Sequence, residues 1–368
     1  MKLSSFVKFF ITWLQGIHKT QIKTLAVLVF ALMCTQRLGV ASLGRALPAR
    51  TAEKHRIKRV DRFLGNNRIP TKKLARALVR TIIGPRKLVL VAIDWTDLHD
   101  GKHQVLAAGI IAKGRALPIY WRVVPKAQLT LNQNRIEDNF VATLREILPR
   151  GCKVIILADR GFARVTFFQQ LEGLGFGFVV RTQTKVWVES EGFKGTLGSL
   201  KISRGTKRDL GITRYHKVAK WPVRIVVCFD AKQKEPWLLA TNVKSEPLSR
   251  IIAWYGCRME VDEFFKDLKN ERNGFKLRGL VLSSAGRYNR LLLVMAYAYF
   301  LLTVIGLWAE KGGLHRRLMA NTEKKRTLAS FRVGFYIFCS WKQKFWGKLP
   351  SLKSLVFRHV ADLLGGTG

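Results

Sequence analysis

Four acidic residues lie close together in the segment WYGCRMEVDEFFKDLKN, residues 254–270, of a chain with only 24 Asp and Glu against 65 Lys and Arg residues. On a helical wheel, an arc roughly 80° wide carries polar side chains, and the opposite side is apolar. The residues on the polar arc are Tyr255, Arg258, Asp262, Lys266 and Lys269. A carboxylate flanked by cations can hold a metal ion beside phosphate groups, whereas an ordinary surface helix carries such charges as ion pairs.

Two other acidic residues end segments that are predicted to be buried strands. KLVLVAID ends at Asp94, and KVIILAD ends at Asp159. Mg²⁺ and Mn²⁺ prefer carboxylate oxygens and keep positions open for phosphate and water. With Asp262 as the third carboxylate, these residues predict a metal site that cleaves phosphodiester bonds, in which neighbouring cations hold the flanking phosphates.

The elements around these acids are predicted to follow the order of a ribonuclease-H-like mixed sheet in an α/β fold. Strands are predicted at 87–94, 104–112, 116–124, 153–159 and 176–181, and helices at 134–149 and about 163–173. In this arrangement the first and fourth strands lie side by side, so we expect Asp94 and Asp159 to be close together. The segment 182–250, which is rich in Gly, Lys and Thr, is predicted to form an inserted β-subdomain.

The charge and composition indicate a folded protein with a polyanionic partner. The formal net charge is +41, yet 48% of the residues are hydrophobic, which excludes a basic disordered tail. Nucleic acid is the first candidate partner and an anionic membrane surface is the second. We predict three parts: an N-terminal helical DNA-binding region (1–85), a catalytic domain (86–308) that includes the β-rich insertion, and a C-terminal basic helical region (309–368).

The N-terminal region contains a basic amphipathic segment, AEKHRIKRVDRFLGNNRIP, at residues 52–70. Apolar residues recur at helical spacing, and basic residues occupy the other faces. This pattern predicts a helix that lies against DNA through Arg56, Lys58 and Arg59. The alternative is a solvated basic face without a partner.

The cysteines and the apolar segments indicate in which cellular compartment the protein is expected. The five cysteines are far apart and form no C-x-x-C pair, which argues against a zinc site and a disulfide framework and favours a cytoplasmic protein. No signal peptide is expected at the N-terminus. Residues 291–308 form an uncharged apolar run that reaches the length of a membrane span. Because the run is solitary and basic residues flank both ends, we favour a buried core helix over a membrane segment.

The acidic segment resembles the Tyr-x2-Arg-x3-Glu-x6-Lys signature of DDE transposases in the insertion-sequence-four family, the enzymes of bacterial cut-and-paste elements. Tyr255, Arg258 and Lys269 fit this signature. AIDWTD and LADRGF resemble the surroundings of the family's first two acids, which implies catalytic, metal-binding roles for Asp94 and Asp159. KLRGL and MANTEKKRTLASFR are also similar to family segments, so the resemblance covers most of the chain.

The resemblance also implies a role for Trp237. EPWLLATN, residues 235–242, is similar to the strand in which the family carries a tryptophan that stacks on a flipped base beside the cleavage site. A base removed from its stack regains contact on an aromatic face. The alternative is a tryptophan buried in a strand.

One departure from the family pattern concerns the third acid. The spacing from Lys269 places Asp262 where the family has glutamate, with Glu263 as its neighbour. The resemblance implies a two-metal site of Mg²⁺ or Mn²⁺ held by Asp94, Asp159 and Asp262, with DNA contacts from Tyr255, Arg258, Lys269 and Trp237. It implies hydrolysis at the element end, hairpin formation by the freed 3′-OH, hairpin opening and attack on target DNA, by a dimer on paired ends. The shorter side chain of aspartate leaves a second interpretation, a decayed or repurposed copy that binds double-stranded DNA without cutting it.

Overall fold

The structure is a computed structural model that describes residues 2–231, 233–270, 274–278, 280–320, 322–323, 328–340 and 350–363. Parts of two segments that support the family resemblance, residue 279 of KLRGL and residues 321 and 324–327 of MANTEKKRTLASFR, lie outside the described residues.

Strands of the described chain form one mixed sheet in the order β3-β2-β1-β4-β5-β10-β9-β8-β6-β7. Their bounds are β1 Leu88–Asp97, β2 His103–Ala112, β3 Arg115–Pro125, β4 Lys153–Ala158, β5 Gly177–Arg181, β6 Trp187–Ser190, β7 Phe193–Thr196, β8 Lys207–Tyr215, β9 Trp221–Cys228 and β10 Trp237–Thr241. β1 pairs parallel with β4 and antiparallel with β2, and β4 pairs parallel with β5. The predicted order of the first five strands, and the pairing of the first with the fourth, are therefore confirmed.

The helices are α1 Leu3–Trp13, α2 Lys19–Thr35, α3 Val40–Ala46, α4 Glu53–Gly65, α5 Thr71–Ile83, α6 Leu129–Ile147, α7 Val165–Gly173, α8 Leu248–Gly256, α9 Glu260–Lys269, α10 Ala285–Lys311, α11 Ser330–Ser340 and α12 Leu352–Leu363. The first five confirm a helical N-terminal segment. Their apolar side chains join those of the sheet and α10 in one hydrophobic core. α4 contributes Val60, Phe63 and Leu64 to this core, as its apolar periodicity predicts.

The β-rich segment that follows β5 continues the same sheet. β10 pairs with β5 on one side and with β9 on the other, and β8 pairs with β9 and β6. Strands were predicted in this segment and are present. The domain boundaries at 85, 182, 250 and 308 stay predictions.

α10 contains the apolar run at 291–308. The helix has 27 residues and is long and apolar enough to cross a membrane, but 94% of its most apolar window is buried inside the structure. α2 and α3 meet the same test only as a pair bent by 97°. α11 approaches α10 so closely that a Cβ atom at Gly306 would lie 1.8 Å from the carbonyl oxygen of Ser330. Protein therefore surrounds α10, which supports its interpretation as a core helix.

Candidate active site and nucleic-acid interface

Asp94 and Asp159 lie at the end of the parallel ladder between β1 and β4. The last residue pair in this ladder is Ala92 with Leu157, so the same register, continued by two residues, places Asp94 opposite Asp159. β1 does not end at Asp94, as the sequence predicted, but continues to Asp97 because β2 still pairs with it there. Asp94 is therefore at the end of the β4 pairing rather than at the end of its strand.

Arg258 connects Asp94 with Asp262. Its Nη1 atom lies 3.1 Å from Asp94 Oδ2, and its Nη2 atom lies 3.4 Å from Asp262 Oδ2. The helix predicted across 254–270 is interrupted, because Cys257–Met259 forms a 3₁₀ turn between α8 and α9. Arg258 lies in this turn and still reaches both acids, so the interruption preserves the predicted proximity of Arg258 and Asp262.

The electrostatics of Asp94 connect all three candidate acids. Burial raises the pKa of the Asp94 carboxyl to about 6; the Arg258 guanidinium opposes this shift, and the charges of Asp159 and Asp262 add to it. The charges of two carboxylates thus act on a third, that of Asp94, in a partly desolvated position. Such a site favours binding of a cation.

The donor chemistry of the three acids fits a hard divalent cation, since carboxylate oxygens are the ligands that Mg²⁺ and Mn²⁺ prefer. The residues for which the structure gives positions include no group of three or more His, Cys, Asp or Glu side chains already arranged to hold a metal ion. Arg258 supplies the positive charge between Asp94 and Asp262 instead. The three acids are suited to a metal by their chemistry, while the present partner of Asp94 and Asp262 is a guanidinium group.

Tyr255 and Trp237 form an aromatic pair beside this cluster. Their ring centroids are 4.9 Å apart, with an interplanar angle of 78°. Tyr255 is buried on α8, and burial raises the pKa of its phenol to about 12, so it remains neutral at physiological pH. Trp237 is the first residue of β10 and is only partly buried. The edge-to-face pair leaves Trp237 as the more accessible of the two rings.

Lys269 lies on the other side of Asp262, in a cavity of about 770 Å³. Its Nζ atom donates a hydrogen bond to Thr96 Oγ1, and burial lowers the pKa of its ammonium group. The cavity lining also includes Asp262, Lys266 and Arg278. A cationic cavity with an acid in its wall can accept a phosphate group next to the candidate metal ligands.

Lys266 lines the same cavity as Asp262 but pairs with Glu263 rather than with a candidate acid. Its side chain is 69% exposed, and its Nζ atom pairs with Glu263 Oε1 at 2.5 Å. Glu263 is 38% exposed and also lies 3.7 Å from Arg115 Nη1. The pairing across one helical turn is the ordinary ion-pair role that such spacing predicts.

The remaining acids of the segment attach α9 to the turn between β2 and β3. Asp267 Oδ2 accepts hydrogen bonds from Arg115 Nε and from the Tyr299 hydroxyl, each at 2.9 Å. Burial raises the pKa of the Glu260 carboxyl to about 7, although the Arg115 charge and the backbone of Gly114 and Arg115 oppose this shift. Only Asp262 among the four acids therefore meets the candidate site. Sequence reasoning missed Arg115, whose only signal was its place between the predicted strands at 104–112 and 116–124.

One of the residues of helix α4 that were predicted to contact DNA, Arg56, forms its hydrogen bonds within the protein instead. Arg56 Nη1 donates to the carbonyl oxygens of Arg45 and Leu47, at 3.1 Å each, and so holds the end of α3. Lys58 and Arg59 are exposed. These two residues, rather than Arg56, are available to a DNA backbone.

Residues 123–299 match the family model described as the transposase DDE domain. The matched region contains Asp159, Trp237 and the segment from Tyr255 to Lys269, while Asp94 lies upstream of it. No curated protein matches the chain. The family match, which covers the segment in which Arg258 and Asp262 lie, supports a DDE transposase, an enzyme that cuts DNA during transposition.

Proposed function

We propose that this chain is a cytoplasmic transposase of the insertion-sequence-four family that excises and integrates a DNA element. Cleavage would proceed by hydrolysis and 3′-OH transesterification through a hairpin intermediate, on element ends paired by a dimer. The observation that supports this most is the connection of Asp94 and Asp262 by Arg258, because it joins residues 164 positions apart in the chain. Such convergence distinguishes a site from the local ion pairs of a surface helix.

In the proposed reaction, Asp94, Asp159 and Asp262 would hold Mg²⁺ or Mn²⁺, and the chemistry supplied there would be activation of a water and stabilisation of the leaving oxygen. The positive charge would favour the ionised form of Asp94, whose pKa is raised by burial to about 6. Arg258, with a guanidinium suited to bidentate contacts, would bind a phosphate oxygen next to the scissile bond. Lys269 would bind the neighbouring phosphate from its cavity beside Asp262.

The charge of +41 supports binding of double-stranded DNA, both element ends and target. The exposed Lys58 and Arg59 of α4 would contact the DNA backbone away from the cleavage site. The second candidate function is DNA binding without cleavage by a decayed copy. It is favoured by one observation, the short aspartate side chain at position 262, which meets Arg258 only at 3.4 Å.

The experiment that tests the function uses the purified chain and linear DNA that ends in the inverted repeats flanking its coding region. We expect nicking and hairpin products with Mg²⁺ or Mn²⁺, and none with a chelator. Binding that weakens log-linearly as salt rises, without cleavage under either metal, would instead support the decayed copy. Absence of both binding and cleavage would contradict the two proposals together.

Trp237→Ala should slow hairpin formation or opening while the first nick persists, because the flipped base would lose its stacking surface. Stacking on an aromatic ring contributes about 1–3 kcal/mol per base, so we expect the hairpin steps to slow by roughly tenfold to a hundredfold. Trp237→Phe should retain part of these steps. Gel analysis of nicked, hairpin and open products over time measures each stage.

Trp221→Phe is the matched control for Trp237, since Trp221 is also the first residue of a strand and is also partly buried. It should leave all stages unchanged. Equal loss of the first nick and the hairpin steps in Trp237→Ala would show that the side chain supports the fold rather than a base.

A further inference from the structure

Glu137 is a buried carboxylate on α6 that contacts the segments after both candidate aspartates. Its side chain is 1% exposed. Oε1 accepts hydrogen bonds from Trp95 Nε1 at 2.9 Å and from Gln133 Nε2 at 3.0 Å, and Oε2 accepts from Arg164 Nη1. Trp95 directly follows Asp94, and Arg164 lies between Asp159 and α7. One carboxylate thus ties the two strand-end segments to a single helix.

A second set of contacts fixes Arg164 in this arrangement. Its Nη2 atom donates to the carbonyl oxygen of Asn134 at 3.1 Å and to Asp138 Oδ1 at 2.5 Å. Its Cζ atom also lies 4.7 Å from the centroid of the Phe167 ring. The guanidinium is therefore held by α6 on one side and packed on α7 on the other. This leaves the segment between Asp159 and α7 little freedom to move away from α6.

Backbone contacts carry this restraint to the two aspartate carboxylates. The Trp95 N–H donates to Asp94 Oδ1 at 2.8 Å, while the indole of the same residue is held by Glu137. The Gly161 N–H donates to Asp159 Oδ1 at 2.8 Å within the segment that Arg164 ends. A shift of either segment would therefore change the direction of an aspartate side chain.

Stability alone does not account for Glu137. A buried ion pair often contributes no more than apolar residues of the same volume, because both charges lose their hydration. Here the carboxylate accepts from Trp95 and Arg164, which belong to the segments after the two candidate aspartates, and from Gln133 on its own helix. Groups of this kind, behind the residues that bind a metal, set the orientation of the ligands.

We propose that Glu137 is a positioning residue that fixes Asp94 and Asp159 relative to each other and thereby sets the affinity of the site for a divalent cation. This inference rests on the proposed metal-dependent function. Glu137 itself touches neither the DNA nor the cation. Its effect passes through Trp95 and Arg164.

Glu137→Gln tests this role with almost no change of shape. Trp95 donates to Oε1 and Arg164 donates to Oε2; because the amide replaces one of these two oxygens with an NH₂ donor, one of the two contacts is lost. We expect the dissociation constant for Mn²⁺, measured by electron paramagnetic resonance without DNA, to rise about tenfold or more. The Mg²⁺ concentration that gives half-maximal cleavage should rise in parallel, while DNA affinity in the presence of a chelator stays at the parent value.

Glu146→Gln is the matched control, because Glu146 lies on the same helix but forms an exposed pair with Lys72 at 3.1 Å. It should bind Mn²⁺ as the parent does. Trp95→Phe removes only the indole donor and should weaken Mn²⁺ binding in the same direction. The double variant Glu137→Gln with Trp95→Phe should lose less free energy of Mn²⁺ binding than the sum of the two single losses, because both substitutions act through the same contact.

Parent-like Mn²⁺ affinity in a folded Glu137→Gln variant would overturn the positioning role and leave the proposed function standing. If Glu137→Gln does not fold, Trp95→Phe decides the question, and parent-like Mn²⁺ affinity in that variant overturns the role. A parent protein that binds no Mn²⁺ would overturn the metal-dependent function, and the positioning role with it.

Discussion

Asp94→Asn and Asp159→Asn should each abolish Mg²⁺-dependent cleavage of element-end DNA and leave the affinity for that DNA nearly unchanged. Each substitution removes a candidate metal ligand but no phosphate contact. The rate of cleavage should fall by more than roughly a hundredfold, which is the upper end of the effect seen when a residue that only orients metal ligands is replaced. Single-turnover cleavage and a binding assay with a chelator measure the two quantities separately.

The Asp94→Asn variant should also keep its stability. Burial raises the pKa of Asp94 to about 6, so the folded state disfavours the carboxylate charge at neutral pH. An uncharged amide removes this cost, and its oxygen can still accept from Arg258. A thermal midpoint at or above that of the parent, together with lost cleavage, would assign the effect to chemistry rather than folding.

Asp230→Asn is the control for these two variants, since Asp230 is 57% exposed and lies 3.9 Å from Lys207. It should cleave as the parent does. Cleavage near the parent rate by either Asp94→Asn or Asp159→Asn would contradict the position of the metal site. Loss of DNA binding in both would instead indicate that these acids organise the DNA surface.

The positions of Asp94 and Asp159 could be predicted because the evidence for them is local. Continuous apolar runs predict β1 and β4, and the order of elements predicts that these strands are neighbours. Both expectations agree with the parallel pairing of Leu88–Ala92 with Lys153–Leu157. The extension of β1 to Asp97 could not be predicted, because it depends on pairing with β2 rather than on the residues of β1 alone.

The segment 254–270 shows where sequence periodicity fails. A wheel assumes one continuous helix, whereas a 3₁₀ turn at Cys257–Met259 changes the direction of the chain before α9. The wheel also cannot show which distant residue each charge meets. Arg115 pairs with Asp267 because β3 packs against α9, and Glu137 pairs with Arg164 because α6 packs against the start of α7.

Asp262→Asn should eliminate cleavage, whereas Glu263→Gln should reduce it by no more than severalfold. Asp262 lies 3.4 Å from Arg258, which also binds Asp94, so its carboxylate is directed into the candidate site. Glu263 instead pairs with Lys266 and lies near Arg115, on the side that attaches α9 to the β2–β3 turn. Exposed ion pairs of this kind contribute little to stability, so their loss should lower the thermal midpoint only slightly and leave the proposed metal site intact.

Asp262→Glu should remain active and cut at least as fast as the parent, because the longer side chain can approach the other two acids more closely. Cleavage of linear end DNA under Mg²⁺ and under Mn²⁺ compares the three variants with the parent. An inactive Glu263→Gln variant together with an active Asp262→Asn variant would assign the third metal ligand to Glu263. It would also require α9 to rotate when DNA binds. If the parent is inactive and Asp262→Glu cuts, the aspartate is a lesion in an otherwise intact site. Inactivity of both, with DNA binding retained, would favour the decayed copy.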